Sequence, residues 1–320
     1  MRKFSKILIT GATGFIGSHL THRLVEEGFT VGIIKQQNSD AWRIKDILDK
    51  IKCYDVNLLD TLGIIKVVSD FNPDVIFHLA TYYAVEHNLQ EISLMIDTNV
   101  LGVINLLESS KETKVKLFVN TSTCFVYKDS ENKLKENDDI KPLNLYALTK
   151  IQAEQACTFY SEKYDLQTIT FRLFPPYGPM DHERRLIPYT IKNFLEKKKI
   201  KLTTGEQKWD FVYVDDIVNA YLKLLSAHQI LEKHEIFNIA SGNAISVREV
   251  ISHIKQILNS KIEPEWGAIP HRKNEVWFTR ADITKTKNFL KWQPKIEILE
   301  GGLGLTVEWY KNFWKREGKK

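Results

Sequence analysis

The sequence predicts an α/β protein built on a doubly wound parallel sheet, followed by a smaller C-terminal α/β lobe. Three observations carry this reading. Short β-branched runs alternate with helical patterns through the first half of the chain. The first strand runs into three glycines and then a helix. The alternation breaks at Phe174-Pro175-Pro176-Tyr177-Gly178-Pro179, a loop dense in proline and glycine.

Residues 6–10 (Lys-Ile-Leu-Ile-Thr) form an apolar run of strand length, and 15–27 follow with helical spacing. Segments 30–34, 52–54, 75–77, 116–120 and 168–173 read as further strands, with helices near 60–70, 92–110 and 145–164. Parallel strands need crossover connections, so strand–helix alternation implies a parallel sheet covered on both faces. Segments 211–220 and 235–240 have the composition of core elements. The expected sheet domain is therefore 1–179, with 209–240 returning to it. Segments 180–208 and 241–320 make the smaller lobe, with helices at 246–259 and 303–315. The charged run at 196–201 reads as a solvated helix end.

At 43% hydrophobic residues the chain has enough apolar side chains for a core, which excludes a disordered protein. The net charge is +5, but the last ten residues hold five basic side chains against one acid. The body is nearly balanced, so no basic face for nucleic acid is expected. Cys53, Cys124 and Cys157 are scattered, giving neither a disulfide framework nor a metal-ligand spacing. Cys53 and Cys157 are expected as buried small side chains. The N-terminal run carries no cleavage-site pattern, and no apolar run reads as long enough to span a bilayer. No membrane association and a reducing cytoplasm are the expectations.

Strand 6–10 is followed by Gly11-Ala12-Thr13-Gly14-Phe15-Ile16-Gly17. In such a junction the first glycine permits the tight turn, the second admits a pyrophosphate, and the third lets helix pack on strand. The helix N-terminus adds free N–H groups and a positive dipole end. Gly11, Thr13, Gly14, Phe15, Ile16 and Gly17 are thus expected to line a dinucleotide. NAD sites place an acid about 20 residues further on, at the end of the second strand. Here Ile34-Lys35-Gln36-Gln37 holds none; Asp40 lies beyond the strand end. Lys35 and Arg43, with Ser39 between them, suit a 2′-phosphate, so NADP (as NADPH) is the expected cofactor. Read blandly, they are surface cations.

Tyr146 and Lys150 stand at i and i+4, on one helix face. A nearby ammonium stabilises a phenolate, and such a tyrosine exchanges a proton with a carbinol or carbonyl oxygen. Strand 116–120 leads into Thr121-Ser122-Thr123, at the sheet end where open α/β folds bind ligands.

In order, the chain carries Gly11 to Gly17, His78-Leu79-Ala80, Asn99, Thr121-Ser122-Thr123, Tyr146 to Lys150, Tyr177-Gly178-Pro179 and Asp210-Phe211-Val212-Tyr213-Val214-Asp215-Asp216. Asp282-Ile283-Thr284-Lys285 and Leu290-Lys291-Trp292-Gln293-Pro294 follow. This set resembles the extended short-chain dehydrogenase/reductases, in the branch that modifies nucleotide sugars, over nearly the whole chain. The resemblance implies a Rossmann domain, a C-terminal sugar-nucleotide lobe, and a homodimer formed through helices 92–110 and 145–164. It implies that Tyr146 is the proton donor, Lys150 its partner and Thr123 the hydroxyl that holds the reacting oxygen. It also implies cofactor contacts from Asp55, Val56, Leu79, Ala80, Thr81, Asn99, Phe174 and Pro175.

Departures narrow the branch. Family 4,6-dehydratases carry Asp-Glu after the catalytic threonine, where this chain has Cys124-Phe125. GDP-fucose synthases carry a cysteine where Phe125 stands, which leaves Cys124 as a structural thiol. The segment from Asn38 to Ile44 and the Trp209-Asp210-Phe211 variant resemble CDP-abequose and CDP-paratose synthases. These imply reduction of a nucleotide-linked 4-keto-6-deoxyhexose. A 4-epimerase, a hydroxysteroid- or flavonoid-type reductase and a non-catalytic NADP-binding module are the rivals. Tyr82, Tyr83, His87, Thr123 and Pro176 are expected to border the sugar, although packing or a surface turn would also explain the first three. His78 is expected to be structural. Among Arg184, Arg185, Lys208, Arg272 and Arg280, one or two are expected on the diphosphate, with Arg184 and Arg272 preferred.

Overall fold

The structure, a computed structural model, describes residues 4–113 and 115–316. The first three residues of the N-terminal run and the end of the basic tail lie outside the described residues. The chain begins β1 (Lys6–Thr10), α1 (Phe15–Glu26), β2 (Thr30–Lys35), β3 (Lys52–Asp55), α2 (Thr61–Phe71) and β4 (Val75–His78). It continues with α3 (Leu89–Ile96), α4 (Gly102–Thr113), β5 (Leu117–Thr123), α5 (Leu145–Tyr164) and β6 (Gln167–Leu173). Then come β7 (Pro176–Tyr177), α6 (Leu186–Leu195), β8 (Lys208–Trp209), β9 (Val212–Tyr213), α7 (Val214–Ala227) and β10 (His234–Ile239). The last elements are β11 (Ile245–Ser246), α8 (Val247–Ile257), β12 (Phe278–Thr279), α9 (Thr284–Leu290) and α10 (Leu303–Arg316).

Seven strands form one sheet in the order β10-β6-β5-β4-β1-β2-β3, every neighbour parallel. The order reverses between β1 and β4, which opens a crevice at their C-terminal ends. Strand side chains alternate between faces, so the apolar runs feed two cores. Ile7, Ile9, Ile33, Phe77 and Phe171 pack with Leu20 and Leu24 of α1 and Ile217 and Tyr221 of α7. Leu8, Ile76 and Phe118 pack on the other face with Val68 of α2, Leu106 of α4 and Cys157 of α5. A separate cluster gathers α6, α8 and α10 around Ile191, Val250, Val307 and Trp314. Beside it lie a small sheet ordered β11-β8-β12 and the pair β7–β9.

The fold departs from the sequence reading in four places. Residues 42–50, left unassigned, form a run of 3-10 helix, Trp42–Lys50. The helix expected at 92–110 begins earlier, because Asn88 and Glu91 form a capping box, and it passes through a π turn at Asp97–Leu101. That helix, Leu89–Thr113, is by length and composition apolar enough to cross a membrane, contrary to the expectation from the sequence. In this fold its Val103, Leu106 and Leu107 are sealed in the core. Cys53 is exposed, not buried, because β3 is an edge strand with little packed over it.

Candidate active site

The glycine turn is shaped by what a side chain would strike. Gly11 adopts φ +76°, and a Cβ there would lie 2.6 Å from the backbone of Leu79 and Ala80. A Cβ at Gly17 would lie 2.1 Å from the Gly11 carbonyl oxygen, so α1 packs directly on the turn. Gly14 caps α1 without a side-chain hydrogen bond, which leaves the first N–H groups of the helix for a ligand. This cradle fits the pyrophosphate of a dinucleotide.

The end of β2 is less open than the sequence suggested. Lys35 forms an ion pair with Asp55, its register partner on β3. Arg43 donates through Nε to the Met180 carbonyl at 2.8 Å and through Nη1 to the Thr13 carbonyl at 3.3 Å. It therefore braces the glycine turn against the 180 loop, and also covers the Trp42 ring at 4.6 Å. Ser39 is half-buried in a turn closed by its N–H on the Gln36 carbonyl. Val56 donates its N–H to the Lys35 carbonyl, so Asp55 and Val56 lie beside the strand end.

Thr123 ends β5 and Tyr146 opens α5, whose N-cap Asn144 accepts from the Ala147 N–H at 2.9 Å. Thr123, Tyr146 and Lys150 are all buried. Burial pushes the Tyr146 phenol well above its usual range, reinforced by Tyr83 and opposed by the Thr81 hydroxyl. Burial lowers Lys150 to about 8, with Glu154 acting in the opposite sense. At neutral pH the chain thus holds a protonated phenol and an ammonium. Burial pushes the Cys124 thiol up, so it stays protonated and inert.

The loop after β4 alternates in and out. Tyr83 meets Tyr146, while the Tyr82 hydroxyl donates to Glu91 of α3 at 2.9 Å. The Tyr82 hydroxyl, expected at the sugar, is thus engaged by α3. His87 is exposed beside the Asn88 cap. Asn99 accepts from the Thr81 hydroxyl and the Tyr82 N–H, and donates to the Tyr82 carbonyl and the Thr149 hydroxyl. Its side-chain amide is saturated by these bonds inside the chain, so it shapes the 79–82 loop. The His78 imidazole is held down to about 3 by burial and by Lys150, and pairs with Thr10 through Nδ1 at 2.7 Å. It is neutral and structural.

Phe174 is wholly buried against Cys124, Tyr127 and Ala281. Its side chain is core, which leaves only its backbone near the strand end. Pro175 accepts from the Val212 N–H, and half-buried Pro176 starts β7. Among the cations, Arg184 is exposed, while Arg185 pairs with Asp181 at 3.4 Å and acts on both Tyr83 and Tyr146. Of the two, Arg185 is the one that interacts with Tyr83 and Tyr146. Arg272 is exposed, stands 3.9 Å from Glu86 and also acts on Tyr83. Arg280 donates to the Gly242 carbonyl, and Lys208 is exposed on β8. Asp210 and Asp216 bind backbone N–H groups of Ala281 and of Lys295 and Ile296, so both are structural.

Sheet, glycine turn and switch-point crevice define a Rossmann-type α/β protein. The chain belongs to the NAD dependent epimerase/dehydratase family, whose model matches residues 7–240. It is 32% identical to a UDP-glucuronate 4-epimerase of Thermodesulfobacterium geofontis, covering 95% of each chain. It is 29% identical to the CDP-abequose synthase of Salmonella typhimurium, over 92% of this chain and 95% of that one. Among solved structures it is similar to the UDP-glucuronic acid 4-epimerase of Bacillus cereus, in complex with UDP-glucuronic acid and NAD. That match has a TM-score of 0.86 at 26% identity, covering 96% of this chain and 99% of the other.

Proposed function

We propose that this chain reduces the C4 keto group of a nucleotide-linked 4-keto-6-deoxyhexose, CDP- or dTDP-bound, using NADPH. Such a reaction serves deoxysugar and polysaccharide (O-antigen) synthesis. The observation that carries the reading is Lys35, a cation at the end of β2, a strand that carries no acid of its own. Cys124 and Phe125 after Thr123 supply no acid–base pair for dehydration. The similarity to CDP-abequose synthase supports the same substrate class.

When bound, the reduced nicotinamide supplies the hydride. The chain supplies the rest. Thr123 Oγ1 and the Tyr146 hydroxyl hold the C4 oxygen, and Tyr146 gives its proton as charge develops there. Lys150 steadies the phenolate that remains. The buried site excludes water, which strengthens each of these interactions. Arg185 and Arg272 hold the anionic parts of the substrate.

An NAD-dependent 4-epimerase is the second reading. The Lys35–Asp55 ion pair favours it, because Asp55 takes up the charge that a 2′-phosphate would need. A non-catalytic module would have no use for Thr123, Tyr146 and Lys150 together. Exposed Leu94, Leu101, Leu148 and Phe159, on the helices expected to pair, support a homodimer.

The test is a panel of CDP-, dTDP- and UDP-linked sugars with NADPH or NADH. The reductase reading expects turnover of the CDP- or dTDP-4-keto-6-deoxy compounds with NADPH. Conversion of UDP sugars without added cofactor would replace it with the epimerase.

A further inference from the structure

A buried ion pair lies behind the catalytic helix, and the mechanism above does not use it. Glu154 sits on α5 one turn beyond Lys150; its side chain is 5% exposed and that of Arg172, on β6, 1%. Arg172 donates to Glu154 through Nη2 at 2.7 Å and through Nε at 3.1 Å. Its Nη1 donates to the Glu136 carbonyl at 2.9 Å, and its guanidinium covers the Tyr127 ring at 4.7 Å. The same carboxylate accepts a short hydrogen bond from the hydroxyl of Ser122. Ser122 directly precedes Thr123.

Burying an ion pair costs solvation that its attraction seldom repays fully, and an apolar pair of similar volume often serves the fold as well. The position of this pair explains its presence. One carboxylate ties the end of β5, which carries Thr123, to α5, which carries Tyr146 and Lys150. Its charge also acts on the Lys150 ammonium, one helical turn away on the same helix. Lys150 is faced by His78 from β4 and by Glu154 and Cys157 from its own helix. His78 is neutral and Cys157 is a buried thiol held protonated. Glu154 is in turn faced by Arg172 from β6, His234 from β10 and Tyr127.

We propose that Glu154 is a positioning residue for the reaction: its carboxylate, bonded to Ser122 at the end of β5 and one turn beyond Lys150 on α5, holds Thr123 and Lys150 in register with Tyr146. This rests on the Thr123–Tyr146–Lys150 reading of the site. Lys150 is lowered to about 8 by burial, and Glu154 opposes that lowering. Removing the carboxylate charge therefore moves Lys150 lower still, and the ammonium is lost within the working pH range. A pair that only braced the fold would affect stability and leave the activity per folded molecule unchanged.

Two variants test it, with product formation from the turned-over nucleotide sugar as the assay. The assay then stands whether the reaction is a reduction or an epimerisation. Ser122→Ala keeps both buried charges and removes the link to the strand end. Its kcat is expected to fall about tenfold, with KM within about threefold of wild type. Glu154→Gln/Arg172→Gln removes both charges without leaving one alone. Titration of Lys150 by NMR on 13C-labelled lysine, with no substrate present, should place it about one pH unit below wild type. The basic limb of the rate profile should move with it. A wild-type kcat in Ser122→Ala overturns the proposal, as does an unmoved Lys150 in the folded double variant. If the double variant does not fold, Ser122→Ala decides alone. Full activity in Tyr146→Phe would instead sink the site reading on which the proposal rests.

Discussion

Tyr83 and Tyr146 meet edge to face, with ring centroids 4.9 Å apart and planes at 83°. Tyr83 is 49% exposed and Tyr146 only 7%. The outer ring therefore covers the inner phenol and fixes its direction. Tyr83→Phe keeps that contact and should retain nearly all of the rate. Tyr83→Ala should lower kcat about three- to tenfold, the range of an aromatic pair. Steady-state kinetics of both variants check this, and equal rates would show that Tyr83 merely fills space.

Asn99 supports the same loop from behind. Asn99→Ala leaves the Thr81 hydroxyl, the Tyr82 N–H and the Tyr82 carbonyl without their partner. The expected loss is about 3 kcal/mol of stability, since a buried unsatisfied group costs about 1–3 kcal/mol. Denaturant unfolding measures it. A loss below about 1 kcal/mol would mean that water replaces the amide without penalty.

His78 gives the protein a defined acid sensitivity. Its folded value of about 3 lies below the ordinary 6.5, so between those pH values the unfolded chain binds the proton and the folded chain does not. Stability from this group is full above 6.5 and falls as the pH drops. Asp210, raised to about 6 by burial, acts in the opposite sense below that pH. Comparing wild type with His78→Asn cancels the Asp210 contribution. Between pH 6.5 and 5 the wild type should lose roughly 1.5 kcal/mol more than the variant. Parallel pH profiles would contradict the assignment of His78 as a buried neutral ring.

Lys35 and Asp55 form an ion pair across the ends of β2 and β3, and the proposed NADPH preference rests on that pair. Lys35→Ala should weaken NADPH binding about tenfold or more and leave NADH nearly unchanged, as expected for a charge-assisted contact. Asp55→Asn should strengthen NADPH binding by releasing Lys35. Fluorescence titration of both nucleotides decides the point. If neither variant changes the ratio, Lys35 is a surface cation.

What was legible in the sequence was local. The turn from Gly11 to Gly17 and the Tyr146–Lys150 spacing each lie within one strand–helix junction or one helical turn, so spacing alone exposes them. The sheet was legible for a similar reason, because its strands are apolar runs that alternate with helices. What stayed hidden depends on contacts between distant segments. Lys35 was visible, but Asp55 neutralises it only through the β2–β3 register. The sequence marks Asn99 as a site residue, but its partners at 81, 82 and 149 come together only in the fold. Arg184 and Arg185 are indistinguishable by composition, and only the fold, with Arg185 at the N-cap of α6, pairs the second with Asp181. Cys53 was expected inside because its neighbours are strand-like, whereas an edge strand leaves a small side chain in solvent.

The most direct test of the central claim follows NADPH absorbance and sugar product together, using purified wild-type protein and a CDP-linked 4-keto-6-deoxyhexose. The expected result is one NADPH consumed for each sugar reduced at C4, and loss of that reaction in Tyr146→Phe. Interconversion of C4 epimers with no net NADPH consumption, sustained by NAD carried through purification, would contradict it.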